Sequence, residues 1–100
     1  MKKLALLLMI AIPATAFAQS TNTIAQKGRR FLPAEITIRQ GQSITVTNDD
    51  EFIHQIYSEG LFDSEERHPG QNIVESFPRS GTFEVRCHIH PKMKLIVRVN

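Results

Sequence analysis

Seven consecutive residues near the C-terminus, Cys87-His88-Ile89-His90-Pro91-Lys92-Met93, hold the only cysteine of the chain and two of its four histidines. They also include the only methionine beyond the first ten residues. Cys87, His90 and Met93 follow one another at intervals of three, so one short loop can wrap a thiolate, an imidazole and a thioether around a single metal ion. A second imidazole must then arrive from another segment, and His54 is the candidate. Two imidazoles and a thiolate in a trigonal arrangement, with a weak thioether on the axis, suit copper and form an electron-transfer site. The soft sulfurs stabilise Cu(I), the imidazoles accept Cu(II), and a rigid frame keeps the rearrangement between the two states small. Taken alone, a buried cysteine is a small hydrophobe, an inward histidine is a hydrogen-bonded core residue and a methionine before a strand is packing. Their combination in one short chain is what points to a metal.

The elements that must position these groups read as strands. From Thr23 onward the apolar residues repeat with a period of two, and β-branched residues are frequent. The pattern predicts seven strands, at about 23–27, 35–39, 43–48, 52–57, 72–77, 81–87 and 94–99. They are separated by turn signals such as Gln40-Gly41, Asn48-Asp49-Asp50 and Arg79-Ser80-Gly81. The fold class expected is all-β, a small antiparallel Greek-key β-sandwich of about seven strands. Parity places Phe83, Val85 and Cys87 on the core face of the sixth strand, so His88 should point outward. It puts His54 inward with Phe52 and Ile56, and Met93 inward with Leu95, Val97 and Val99. The long stretch 58–71, with its acidic run Asp63-Ser64-Glu65-Glu66, is expected to be the crossover of the Greek key, its acids on a solvated face.

Residues 1–18 stand apart from the fold. Lys2 and Lys3 precede an apolar run from Leu4 to Ile12 that is too short to span a bilayer, and Ala16-Phe17-Ala18 is a small-x-small cleavage site. This is the pattern of a secretory signal peptide cut before Gln19, which leaves one domain, 19–100, of 82 residues. No stable membrane insertion is expected. The formal charge of +2 disappears with Lys2 and Lys3, since 10 Lys and Arg then face 10 Asp and Glu. Nucleic-acid binding, which needs clustered basic charge, loses its support. So small a chain buries only about 60–65% of its unfolded surface and calls for a staple. One cysteine cannot form an internal disulfide, so a metal is the staple left, and a metal also explains an unpaired thiol in an oxidising compartment.

Together these residues resemble the cupredoxins, the type 1 blue copper proteins. The resemblance runs over Phe31-Leu32-Pro33, Ile36-Thr37-Ile38, Gly41 to Asn48, Asp50 and His54, and Gly81-Thr82-Phe83 leading to Cys87. The Cys-x-x-His-x-x-Met loop is most similar to that of the amicyanin, plastocyanin and pseudoazurin group. The resemblance implies Cys87 as the thiolate, His54 and His90 as the imidazoles and Met93 as the axial sulfur. It also implies His90 near the surface in an apolar patch as the route for electrons, with Pro91 stiffening the loop. Gly41 and Gly81 would serve turns that favour positive φ. Two positions depart from the family: Gln55 stands where members often carry Asn, which ties the two ligand segments together, and His88 directly follows the thiolate.

The function expected is a periplasmic one-electron carrier, a monomer holding one copper ion that cycles between Cu(I) and Cu(II). Its partner would be a redox protein, a c-type cytochrome or a periplasmic dehydrogenase. Arg86, Lys92 and Lys94 would give a mildly basic rim that steers an acidic partner. The alternative is a copper-binding module for copper handling or delivery, suggested by the further imidazoles of His68 and His88. A metal-free immunoglobulin-like interaction domain would need none of Cys87, His90 and Met93 together. An enzyme is not expected, because four ligands leave copper no open position and no nucleophile with a base is evident.

Overall fold

The computed structural model describes residues 22–100; the expected signal peptide, 1–18, lies outside them. No helix occurs among the described residues, and so none is long and apolar enough to cross a membrane. Nine short strands form two sheets. The strands are β1 (Thr23–Gln26), β2 (Phe31–Leu32), β3 (Glu35–Ile38), β4 (Ser43–Asn48), β5 (Tyr57–Ser58), β6 (Phe62–Asp63), β7 (Asn72–Ser76), β8 (Gly81–Arg86) and β9 (Lys94–Val99). The first sheet has the order β2-β1-β4-β7 and the second β3-β9-β8-β5-β6.

Alternation in the sequence becomes burial in the structure. In β4 Ile44, Val46 and Asn48 are buried while Ser43, Thr45 and Thr47 are half-buried, and in β9 Leu95, Val97 and Val99 are buried. These residues pack with Ile24 and Phe31 of the first sheet and with Ile38 and Val85 of the second; Ile56 and Phe77 complete the core. Each such side chain contributes about 1.5–3 kcal/mol, so the sandwich is held by roughly a dozen residues whose positions follow from period two. Two turns rely on glycine: Gly41 at φ +88° and Gly81 at φ +139° adopt the backbone that L side chains rarely take.

The all-β sandwich expected from the sequence is the one observed, with nine strands where seven were predicted. The sheets are mixed rather than antiparallel: β1 runs parallel to β4, and β3 parallel to β9. Period two is the same for both orientations, so alternation carries no signal for this. The predicted strand at 52–57 does not form. Only Tyr57–Ser58 is a strand, and His54 makes an isolated bridge with Arg67. The cause lies in Asn48, which is fully buried and whose side-chain amide donates to the carbonyls of Phe52 (2.8 Å) and Arg67 (2.9 Å). Its Oδ1 accepts from the N–H of Asp50 at 3.0 Å. These bonds curl 48–54 into a compact turn, as an Asn side chain that mimics backbone does. Alternation is lost there: Phe52 is 39% exposed, whereas His54, Gln55 and Ile56 are all buried in succession. The stretch 58–71 carries the chain from β5 and β6 in the second sheet to β7 in the first, as a crossover must.

Candidate metal centre

The β8–β9 hairpin is paired over its full length, from Gly81 opposite Val99 to Arg86 opposite Lys94. The loop 87–93 closes its open end. Cys87 continues the inward parity of Val85 and is fully buried. A turn bond from the N–H of Met93 to the carbonyl of His90, 3.0 Å, folds the loop back. Arg86 braces it from outside, its guanidinium donating to the carbonyl of Pro91 (3.0 Å) and pairing with Glu84 (3.0 Å). Arg86 is therefore part of the loop's support rather than a free charge on a rim.

His54 reaches the same place from the connection between β4 of the first sheet and β5 of the second. Its N–H donates to the carbonyl of Arg67 (3.1 Å) and its carbonyl accepts from the N–H of Arg67 (2.7 Å). Its Nε2 lies 3.0 Å from Asp50 Oδ2. Burial alone would raise the Asp50 carboxyl, but it is outweighed by hydrogen bonds from the His54 ring and from the backbone N–H groups of Arg29 and Glu51, which bring the carboxyl down to about 2. At neutral pH Asp50 is thus an anion that only accepts, so Nε2 of His54 must carry the proton. This fixes the tautomer and leaves the lone pair of Nδ1 facing Cys87.

Three donor atoms converge. His54 Nδ1 and His90 Nδ1 each lie 3.9 Å from Cys87 Sγ and 3.2 Å from each other. No other described group of three or more His, Cys, Asp or Glu side chains is placed to hold a metal ion. The point equidistant from a triangle with these sides is about 2.1 Å from each corner, close to ordinary metal–nitrogen bonds of about 2.0–2.1 Å and metal–thiolate bonds of about 2.3 Å. The donor set, its spacing and the fixed His54 tautomer therefore fit a copper ion. Burial, then the neighbouring His54 ring and the Arg29 guanidinium, push the His90 imidazole below its usual value, with Asp50 opposing, which favours the neutral ring that can ligate.

Around this triangle the expected residues are distributed unevenly. Met93 ends the loop, 2% exposed and packed in the core. His90 is half-buried, its ring edge-on to the exposed Phe52 at 6.0 Å and beside the exposed Ile89. His88 points outward, stacks flat on Tyr57 at 3.7 Å and lies 3.5 Å from Asp63. His68 is exposed and stands outside the group. Gln55 makes the tie between the two segments. Its Oε1 accepts from the N–H of His88 at 2.9 Å, and its Nε2 donates to the carbonyl of Ser64 (3.2 Å) and to the carboxylate of Asp63.

Sequence reading missed two residues here. Arg29, in the turn after β1, binds Asp50 Oδ2 through its N–H at 2.8 Å and sets its guanidinium 4.3 Å over the Phe52 ring. Arg67, to which the sequence assigned no role, is buried and pairs with the backbone of His54. Asp50 was legible as a turn residue and as part of the family resemblance, but not as the partner of the His54 ring; its place four residues before His54 was the available signal. Asp50→Asn is expected to weaken metal binding about 10–100-fold, because a neutral amide no longer holds the His54 ring as tightly. The folded carboxyl lies below its ordinary value of 3.8, so the stability it contributes is present above pH 3.8 and lost as pH falls through about 2. Denaturation of the two apoproteins should therefore differ at pH 7 and converge near pH 2. Equal metal affinity in both proteins would show that Asp50 does not orient His54.

A cupredoxin-like domain model matches residues 2–97. Among solved structures, the purple cupredoxin from Nitrosopumilus maritimus is similar with a TM-score of 0.73 and 25% identity, over 78% of this chain and 98% of that one. A mutant of amicyanin in its reduced state has a TM-score of 0.76 at 19% identity, and a Cu(I) form of another amicyanin mutant 0.75 at 19%. Each covers 87% of this chain and 89% of its own. No match is found among curated proteins. With nearly the whole chain matched by one family model, the chain belongs to the cupredoxin-like family, and the donor triangle accords with that.

Proposed function

We propose that this chain is a periplasmic type 1 copper protein that carries one electron between redox partners, and that His54, Cys87, His90 and Met93 are the residues that would hold the copper. The observation that carries the reading is the triangle of Cys87 Sγ, His54 Nδ1 and His90 Nδ1. Bound copper would supply the one-electron couple between Cu(II) and Cu(I). Cys87 and His54 keep water away from it, both being fully buried, and Asp50 and Arg67 hold His54 in place before any metal arrives. Preorganised ligands spare the centre a large rearrangement on each transfer. The signal-peptide pattern of residues 1–18 supports the periplasmic setting, and four ligands would leave no open position for catalysis.

His90 is the ligand that reaches the surface, flanked by Phe52 and Ile89, and Arg29 and Lys92 are exposed near it. This supports a small apolar contact with a basic edge, suited to an acidic c-type cytochrome or dehydrogenase. Stopped-flow mixing of the copper-loaded protein with a c-type cytochrome of acidic surface tests the role. Rapid, reversible exchange that slows with rising salt is expected. Absence of cycling, with copper passed to a recipient chain instead, would favour the delivery reading. The burial of Cys87 and His54 weighs against that reading, since a recipient must reach the ligands it displaces.

A further inference from the structure

Arg67 is an unusual residue to find in a small core. It is 5% exposed, and no carboxylate of the described residues lies within 4.0 Å of it. Its guanidinium donates to Gln26 Oε1 at 2.7 Å and to the carbonyl of Val46 at 3.3 Å. Its Nε has no partner, and neither has the neighbouring Nε2 of Gln26. A buried cation without a counter-ion costs several kcal/mol, and a guanidinium does not escape by losing its proton. Two neutral acceptors do not remove that cost. The backbone of Arg67 is also the pairing partner of His54, so the cation is fixed against a proposed ligand segment. His54 in turn sets its Nδ1 3.9 Å from Cys87 Sγ, so the Arg67 segment stands one residue from the thiol.

We propose that Arg67 is a positioning residue for the redox balance of the metal centre, a buried cation that acts through Cys87 and favours Cu(I) over Cu(II). The inference rests on the copper reading above. With Cys87 as thiolate, the oxidised centre carries one more positive charge than the reduced one. One electron arrives from the redox partner, and no proton moves on Arg67. A fixed buried cation repels the oxidised form more than the reduced one, and the low dielectric preserves that difference. Arg29 and Lys92 have the same sign but are exposed, and salt screens them. The buried charge therefore sets a salt-independent part of the potential. The sequence keeps a group that is costly to the empty fold because its field acts on the centre.

Voltammetry of copper-loaded wild type, Arg67→Met and Arg67→Lys at low and high salt tests this. Arg67→Met should keep the visible thiolate–copper band and lose about tenfold in Cu(I)-over-Cu(II) preference, a potential lower by 59 mV for one electron, by the same amount at both salts. Arg67→Lys should restore most of it. Unfolding of the apoproteins supplies a readout independent of copper. The double variant Gln26→Leu with Arg67→Met, which leaves no orphaned amide, should melt at or above wild type. If Arg67→Met does not fold, the double variant takes its place in the voltammetry. An unchanged potential in a wild type that shows the band overturns the role of Arg67 alone, as does a shift that salt abolishes or a lower apoprotein melting point in the double variant. A wild type without the band overturns the copper reading and this inference with it.

Discussion

Cys87→Ser is expected to abolish the visible thiolate–copper band and to remove any stabilisation of the fold by copper. The reason is the position of Sγ at the apex of the donor triangle, 3.9 Å from each of two imidazole nitrogens. A hydroxyl in its place is a hard, largely protonated donor that does not stabilise Cu(I). The side chain is fully buried, and an oxygen closer to the backbone cannot reach either ring. The apoprotein should therefore also lose about 1–3 kcal/mol for an unsatisfied buried hydroxyl. Cys87→Ala separates the two losses, since it removes the ligand without burying a hydroxyl. A Cys87→Ser protein that binds copper with an unchanged spectrum would show that the thiolate is not a ligand.

Withdrawing copper with a chelator should lower the melting temperature of wild type by about 10–20 °C. An ion that binds only the folded state adds about 2.7 kcal/mol at a hundred times its dissociation constant, and each kcal/mol moves a domain of this size by about 4–8 °C. The effect is large because the chain is short, and the ion would join a hairpin loop to the β4–β5 connection, 33 residues apart in sequence. Acid should weaken the same staple. The His90 imidazole lies below its ordinary value of 6.5 in the folded protein, so the unfolded chain binds its proton first. Stability contributed by the neutral ring is then present above pH 6.5 and declines as pH falls below it. Calorimetry with and without chelator at pH 7.5 and pH 5 checks both points. A melting temperature indifferent to chelator at pH 7.5 would mean that the sandwich stands without a metal.

The sheets and the loop from Cys87 to Met93 were legible because they rest on short-range pattern. Cys87 had to face inward once Val85 did, and Leu95, Val97 and Val99 had to follow the same rule on the facing strand. His54 was singled out on a premise that the structure corrects, since it is buried without a strand to bury it. What holds it is the backbone of Arg67 and the carboxylate of Asp50, while the side-chain amide of Asn48 replaces ladder bonds and turns Phe52 outward, a substitution that period two does not register. The parallel pairings of β1 with β4 and of β3 with β9 were hidden for a similar reason: alternation fixes faces, not neighbours. Arg67 was the hardest to find. Its position beside an acidic run suggests solvent, and only a long-range bridge to His54 carries it inside. Gln55, by contrast, shows how a longer side chain can still close the link between the two ligand segments when Ser64 and Asp63 fix its far end.

Adding one equivalent of Cu(II) to the folded apoprotein, 19–100, and recording its visible absorption tests the proposed centre most directly. The account predicts an intense thiolate-to-copper charge-transfer band that saturates at one copper per chain, as a His₂Cys trigonal site requires. A weak, featureless spectrum of the kind given by nitrogen and oxygen ligands alone would contradict it.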